Sequence, residues 1–365
     1  MMGERTMAED TRDGDRLKAA LEDAERALGD ALDARARAIG ALGALRTSSP
    51  EAYVNLPRDH EVIARMVERV HVFPKDSVRA VMTEVISACS RMLAPIEVVY
   101  LGQEGGLGHQ AARRQFGAAA TFRGVDQPEE ALAQVERGAA AYAVLPFETS
   151  NDGAVTGTLN LLARSDAKVC AEMRIRRAFH LLSQTGKREQ VARIYGTSSA
   201  LAACETYLSK TFPQAVVLDV RSPFNAAQRA REDADAAALG TDLVAEESGL
   251  AYVERSIEDE ADLETRYVAV GNDFPARTGH DRTAVALALH DAPGVLIECL
   301  RPFADRKLNI FRLETRPARG WEFRYLILVE VDGHITDRPV LAAVEDLRAS
   351  SRYVKVLGSY PIVEK

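Results

Sequence analysis

Glu148-Thr-Ser150 and the Asn151-Asp-Gly153 that follows set hydroxyl, amide and carboxylate side chains directly behind the apolar run Ala140–Pro146. Ligands of α/β proteins sit outside the carboxyl ends of strands, so such a cluster suits a small acid. Turn formation and capping of the next helix is the plainer reading of the same residues. A second candidate is the loop Gly102-Gln-Glu-Gly-Gly-Leu-Gly108, which precedes a helix pattern beginning near His109. Free backbone N–H groups and the helix dipole there favour an anion. The loop is neither G-x-G-x-x-G nor a Walker loop, so a carboxylate fits better than a phosphate. Thr265-Arg-Tyr267 is the third candidate, an alcohol and a cation side by side, and a strand-end hydroxyl with a surface arginine is its bland alternative. No His/Cys/Asp cluster has metal-ligand spacing, so neither metal nor cofactor is expected.

The elements that must position these residues alternate from Pro95 onward. Ile96–Leu101 and Ala140–Pro146 read as strands, His109–Phe116 as a helix, and strand–helix alternation to about residue 273 predicts a parallel α/β architecture. Asp235–Leu250 reads as an alanine-rich helix stopped by glycine. Ahead of this lies a different texture. Residues 1–13 read as a disordered lead, and Asp15–Arg46 as one long helix with Leu17, Leu21, Leu28, Leu32 and Ile39 at helical spacing. Two further helices follow Pro57 and Pro74. An apolar stripe of that length finds a partner helix, so a dimer is expected. From Arg282 the pattern becomes βαββαβ, a small ferredoxin-like unit.

With 365 residues the chain has room for two or three domains, each with its own core. A net charge of −8 argues against a generic nucleic-acid binder, since phosphate binding needs a basic surface. No apolar run approaches the ~20 residues needed to span a bilayer. Met1–Arg16 lacks the apolar stretch of a secretory signal. Cys89, Cys170, Cys204 and Cys299 form no C-x-x-C pair and suit reduced core thiols in a cytoplasmic protein.

The order and spacing of the motifs resemble the prephenate dehydratase family. Tyr100-Leu-Gly-Gln-Glu-Gly105 resembles its opening Y-L-G-P-x-G, and Leu145-Pro-Phe-Glu-Thr-Ser150…Gly153…Thr158-Leu-Asn-Leu-Leu162 its P-I-E-N-S…G…T-L-D-L-L. Thr265-Arg-Tyr267 resembles T-R-F, whose threonine is the family's key catalytic residue, and Ser222 precedes paired alanines as in the family. The resemblance implies a two-lobed, periplasmic-binding-protein-like α/β domain over 96–273 that turns prephenate into phenylpyruvate. Thr265 would activate the departing hydroxyl, with Arg266, Ser150, Thr149 and Ser222 orienting the substrate's carboxylates and Glu148 counted with them among the catalytic residues. Three departures stand out: Gly106-Leu-Gly108 replaces T-F-S, Thr149 replaces asparagine, and Leu263 stands at another asparagine position. Each lost transition-state donor costs on the order of 10²–10³ in rate, which points to slower dehydration or a related substrate.

Residues 14–93 resemble the all-α chorismate mutase unit often fused ahead of such dehydratases. By spacing, Lys18, Arg35 and Arg46 fall at its cationic positions, Asn55 and Asp59 replace aspartate and glutamate, and Leu93 stands near an expected glutamine. Solvated helix-face charges are the alternative for these cations. Residues 281–363 resemble an ACT domain: Gly294-Val295-Leu296 matches G-A-L, and Glu314-Thr315-Arg316-Pro317 matches E-S-R-P, two motifs that form the family's phenylalanine pocket at a subunit interface. The combined expectation is a lyase and isomerase of phenylalanine biosynthesis acting on chorismate and prephenate, inhibited by phenylalanine, as a homodimer or tetramer. A degenerate scaffold that only senses aromatic amino acids, or a secondary-metabolism enzyme on a related cyclohexadienyl acid, are the rival readings.

Overall fold

The computed structural model describes residues 7–46, 56–93, 95–151, 153–318, 322–323 and 325–362. Three helices open the chain: α1 (Met7–Arg46), α2 (Leu56–Arg69) and α3 (Lys75–Arg91). The lead expected to be disordered is helical from Met7, because Met7–Asp13 holds neither proline nor glycine to stop a helix. Ile63 of α2 packs on Val78, Met82 and Ile86 of α3. The long α1 runs ~60 Å. Arg35, in its second half, donates to Val85 O of α3 at 3.4 Å.

The first lobe comprises β1 (Glu97–Leu101), α4 (Leu107–Phe116), β2 (Thr121–Val125), α5 (Pro128–Glu136), β3 (Tyr142–Thr149), β4 (Gly153–Ala154), α6 (Thr156–Arg164) and β5 (Lys168–Arg176). The second comprises β6 (His180–Ser183), β7 (Arg193–Gly196), α7 (Ser198–Ala203), α8 (Glu205–Thr211), β8 (Val216–Asp219), α9 (Pro223–Glu232), β9 (Ala236–Gly240), α10 (Asp242–Ser248) and β10 (Ala251–Glu254). Strand β11 (Glu264–Gly271) then returns to the first lobe. From Asp281 the order is β12 (Asp281–Ala288), α11 (Val295–Asp305), β13 (Ile310–Pro317), β14 (Tyr325–Asp332), α12 (Arg338–Ser350) and β15 (Tyr353–Pro361).

Two further expectations are corrected. The sheets are mixed rather than parallel. β1 runs parallel to β2 and β3, but β11 is antiparallel to both β3 and β5. The chain leaves at the end of β5, builds the second lobe, and re-enters opposite that end, with Glu264 facing Arg176. It must therefore run backwards. The segment Asp235–Leu250 is not one helix either: Ala236–Gly240 is a strand between β6 and β7, and only Asp242–Ser248 is helical. All five strand residues are buried, and small alanines let α9 and α10 close on the sheet.

The C-terminal strands do not form a separate sheet. They continue the first lobe's in the order β13-β14-β12-β15-β5-β11-β3-β1-β2. The join is β15 against β5, where Gly358 pairs with Val169. A Cβ at Gly358 would lie 2.4 Å from Val169 O, so only glycine permits this approach. One apolar core spans the seam, with Leu145, Phe147 and Val268 on one side and Leu326, Leu328 and Tyr360 on the other.

Candidate active site

Between the two lobes lies a cleft of about 720 Å³. The first lobe contributes Gly106, Leu107 and Gly108 from the start of α4, and Tyr267 from β11. The second contributes Thr197, Ser198, Ser199 and Thr241. The first-turn amides of α4 have no partner inside the helix, as at every helix start, and so offer donors to a carboxylate. Gly108 has a steric reason to lack a side chain, because its Cβ would stand 2.2 Å from Leu101 O. A neighbouring cavity of about 1040 Å³ opens on the other flank of the Gly102–Gly106 loop and takes in Ser222, Asn225 and His109.

The loop between the cavities is held from both lobes. Thr241 donates to Gly105 O at 2.7 Å, across the lobes. Gly105 N donates to His109 Nδ1 at 3.1 Å, so that nitrogen is the acceptor and the ring is neutral. Burial, then Arg113, lowers the His109 pKa to about 4. The ring stacks on Tyr100 at 4.7 Å, and burial lifts the Tyr100 pKa to about 12. In the second lobe His180 accepts from Ser256 N at 3.1 Å, leaving its Nε2–H to Asp242 at 2.8 Å. That bond holds the Asp242 carboxyl below the usual range, and Gln110 of α4 adds a 3.0 Å bond to it.

Strand alternation separates the three residues of the Thr265 triplet. Thr265 and Tyr267 share one face of β11, and Tyr267 lines the cleft. Thr265 is 8% exposed and sits in register with Thr149 of β3. Arg266 points to the opposite face, buried to 3%. There it makes a bidentate pair with Glu330 (2.9 and 2.7 Å) and a bond to Glu172 at 3.0 Å. Its Nε lies 2.9 Å from Glu148, close enough for an ion pair but without hydrogen-bond alignment. The expected role of Arg266 and Glu148 beside the substrate is thus not what the geometry provides: both are engaged in an ion cluster on the face of β11 opposite Thr265. Ser150 accepts from Glu264 N at 3.1 Å and so fixes the start of β11. Ser222 caps α9 by accepting from Asn225 N at 3.2 Å, while still lining the larger cavity.

Sequence reasoning missed Thr197, Ser198 and Ser199. Their signal was close to the one used for Glu148–Ser150, a hydroxyl cluster directly behind a short strand, here Arg193–Gly196. Among the described residues no group of three or more His, Cys, Asp or Glu is placed to hold a metal ion, and no helix is long and apolar enough to cross a membrane. Of the N-terminal positions, Lys18 is exposed and Arg35 half-buried, 17 residues apart on one helix. Asn55 lies outside the described residues, as do the side chains of Arg46 and Asp59. In the C-terminal unit Gly294 holds a left-handed φ of 82° at the start of α11, and Leu296 beside it is exposed. Glu314 and Arg316 face inward against Gly153 and Ala154, while Thr315 faces out. On β13, then, Glu314 and Arg316 lie on one face and Thr315 on the other.

Two α/β lobes, crossed twice by the chain and flanking a hydroxyl-lined cleft, define a two-lobed α/β protein with a ligand-sized site between its lobes. The prephenate dehydratase family model matches residues 98–274. The bifunctional chorismate mutase/prephenate dehydratase of Aquifex aeolicus is 32% identical over 336 residues, covering 90% of this chain and 92% of its own. The Pseudomonas aeruginosa enzyme of the same description is 31% identical, covering 84% and 80%. The crystal structure of Arthrobacter aurescens prephenate dehydratase in complex with L-Phe superposes with a TM-score of 0.60 at 31% identity, over 73% of this chain and 90% of that one. The chain belongs to the bifunctional chorismate mutase/prephenate dehydratase family.

Proposed function

We propose that this chain converts chorismate to prephenate and prephenate to phenylpyruvate, under feedback inhibition by phenylalanine. Relatives aligned over nine-tenths of the chain carry both activities in their descriptions, and a dehydratase solved with L-Phe supports the effector. In the dehydration the ring carboxylate leaves as CO₂ and its bonding pair enters the ring. The ring hydroxyl departs with a proton as water, and the ring becomes aromatic. Thr265 donates to that hydroxyl. A neutral alcohol suits the task, because a cation at the leaving carboxylate would hold CO₂ back. The first-turn amides of α4 and the hydroxyls of Thr197, Ser198 and Ser199 grip the remaining carboxylate. These hydroxyls stand across the cleft from the place where the family's T-F-S has become Gly106-Leu-Gly108.

Residues 14–93 are assigned to the mutase, 96–273 to the dehydratase and 281–363 to an ACT-type sensor, whose βαββαβ order supports the last assignment. Lys18 and Arg35 are ~25 Å apart along α1, too far to hold one chorismate within a single copy. A site using both takes one of them from a second chain, which supports a dimer. Four free, buried cysteines support a cytoplasmic location. The observation that carries the dehydratase reading is the register of Thr265 opposite Thr149, beside the cleft-lining Tyr267. Phenylpyruvate formation from prephenate tests it: Thr265→Ala should lose about 10²–10³ in kcat, with Thr265→Ser retaining most of the rate. A wild-type protein that binds phenylalanine but turns over neither substrate would favour the sensor reading, which the missing hydroxyls at 106–108 motivate.

A further inference from the structure

Between the C-terminal strands and the catalytic strand lies a buried cluster of charge that the reaction itself does not use. Arg312 of β13 is its hinge. Its Nη1 lies 2.7 Å from Glu148 Oε2 and 3.8 Å from Glu330, and its Nη2 bonds Glu314. The same Glu148 oxygen is 2.9 Å from Arg266 Nε. Glu314, in turn, accepts from Ala154 N at 3.0 Å. Glu148 and Arg266 are the chain neighbours of Thr149 and Thr265, and the two pairs face each other in register across β3 and β11. One guanidinium from the C-terminal unit therefore sits one residue behind the reacting alcohol.

From this we infer that Arg312 is a positioning residue for the dehydration. By dividing its charge between Glu148 and Glu314, it fixes the Thr149–Thr265 strand pair and transmits the state of β13 to it. The inference rests on the dehydratase and phenylalanine readings above. The physical reason is geometric. A buried guanidinium is planar, and its donors point in fixed directions, so a displacement of β13 cannot be absorbed by side-chain rotation alone. Glu148, held between Arg312 and Arg266 Nε, must follow or keep only one of its two cations, which pulls it toward Arg266 and off its present position. A shift of a few tenths of an ångström in β3 then changes where the Thr265 hydroxyl lies relative to the leaving group. The Glu314 contact to Ala154 makes the same connection to the short strand beside Ser150.

The test uses the full-length chain with Arg312→Gln, Arg312→Lys and Glu148→Gln, each measured for prephenate kcat and KM, for phenylalanine inhibition, and for the melting-temperature rise that phenylalanine produces. Arg312→Gln and Glu148→Gln are expected to lower kcat about 10- to 100-fold with KM within about twofold, since the defect is in alignment rather than in binding. Phenylalanine should still raise the melting temperature of both while inhibiting them far less than wild type. Arg312→Lys, which keeps the charge but loses the fork, should recover part of kcat and little of the inhibition. A purely structural role would lower the melting temperature and leave the kcat of the folded fraction and its inhibition intact. If Arg312→Gln and Glu148→Gln both keep wild-type kcat and wild-type inhibition, the inference is overturned while the dehydratase reading stands. A wild-type protein that forms no phenylpyruvate overturns both.

Discussion

At the scale of single residues the site depends on which groups stay neutral. His109 accepts a backbone hydrogen bond on Nδ1, and burial keeps its pKa at about 4 against the ordinary 6.5. The unfolded chain takes up a proton as pH falls through 6.5, and the folded one refuses it until about 4. Stability is therefore lost progressively across that window and no further below it. The loss is about 2 kcal/mol once screening by cavity water is allowed for. His109→Gln, also neutral, should remove this component: denaturant unfolding at pH 7 and pH 4.5 should show a smaller acid loss in the variant. Equal losses would assign the acid sensitivity to other groups. The placement of Thr265 near the start of a strand was legible from its neighbours in sequence. The role of Arg266 was not, since Glu172 and Glu330 stand 94 and 64 residues away and no local pattern announces them. Burial alone would raise the Glu330 pKa, but Arg266 overcomes this and holds it below the usual carboxylate range.

At the scale of elements, the strands near 96–101 and 140–146 and the helix near 109–116 were legible from sequence pattern. That pattern failed at Ala236–Gly240, which is buried on both sides and short, so that neither period appears and alanine suggests a helix. It also could not give the direction of β11, which follows from the chain's return out of the second lobe. The βαββαβ order of the last 80 or so residues was legible, but the merging of its sheet with the catalytic one was not, because the join is a single pairing at Gly358. That join predicts a specific sensitivity. Gly358→Ala places a methyl against backbone that has no side chain to move aside, and should cost about 1–3 kcal/mol of stability. The damage should extend to function, with dehydratase kcat and phenylalanine inhibition falling together as the two sheets part. A lower melting temperature with undiminished inhibition per folded molecule would instead mean that the sheets communicate elsewhere, through α6 or the ion cluster alone.

At the scale of the whole molecule, one copy leaves its longest helix largely uncovered. Leu21 and Leu28 of α1 are 60% and 62% exposed, with Leu17 and Leu32 on the same stripe. Burying four leucines at ~25 cal/mol per Å² favours association by several kcal/mol, enough to make a second copy the natural cover. On the proposal that Lys18 and Arg35 bind one chorismate, their ~25 Å separation along α1 requires the same cover, with one of the two cations coming from the second copy. Leu21→Glu/Leu28→Glu places like charges in that contact without touching either cation. In light scattering the double variant should drop to half the wild-type mass or lower, and mutase turnover should fall to background. Dehydratase turnover, proposed for the cleft between the two lobes of one chain, should persist at more than about half the wild-type rate, since surface changes away from packed features seldom disturb a distant site. Retained mutase activity in a proven monomer would show that Lys18 and Arg35 do not share a chorismate, and the second chain would then have no role in that chemistry.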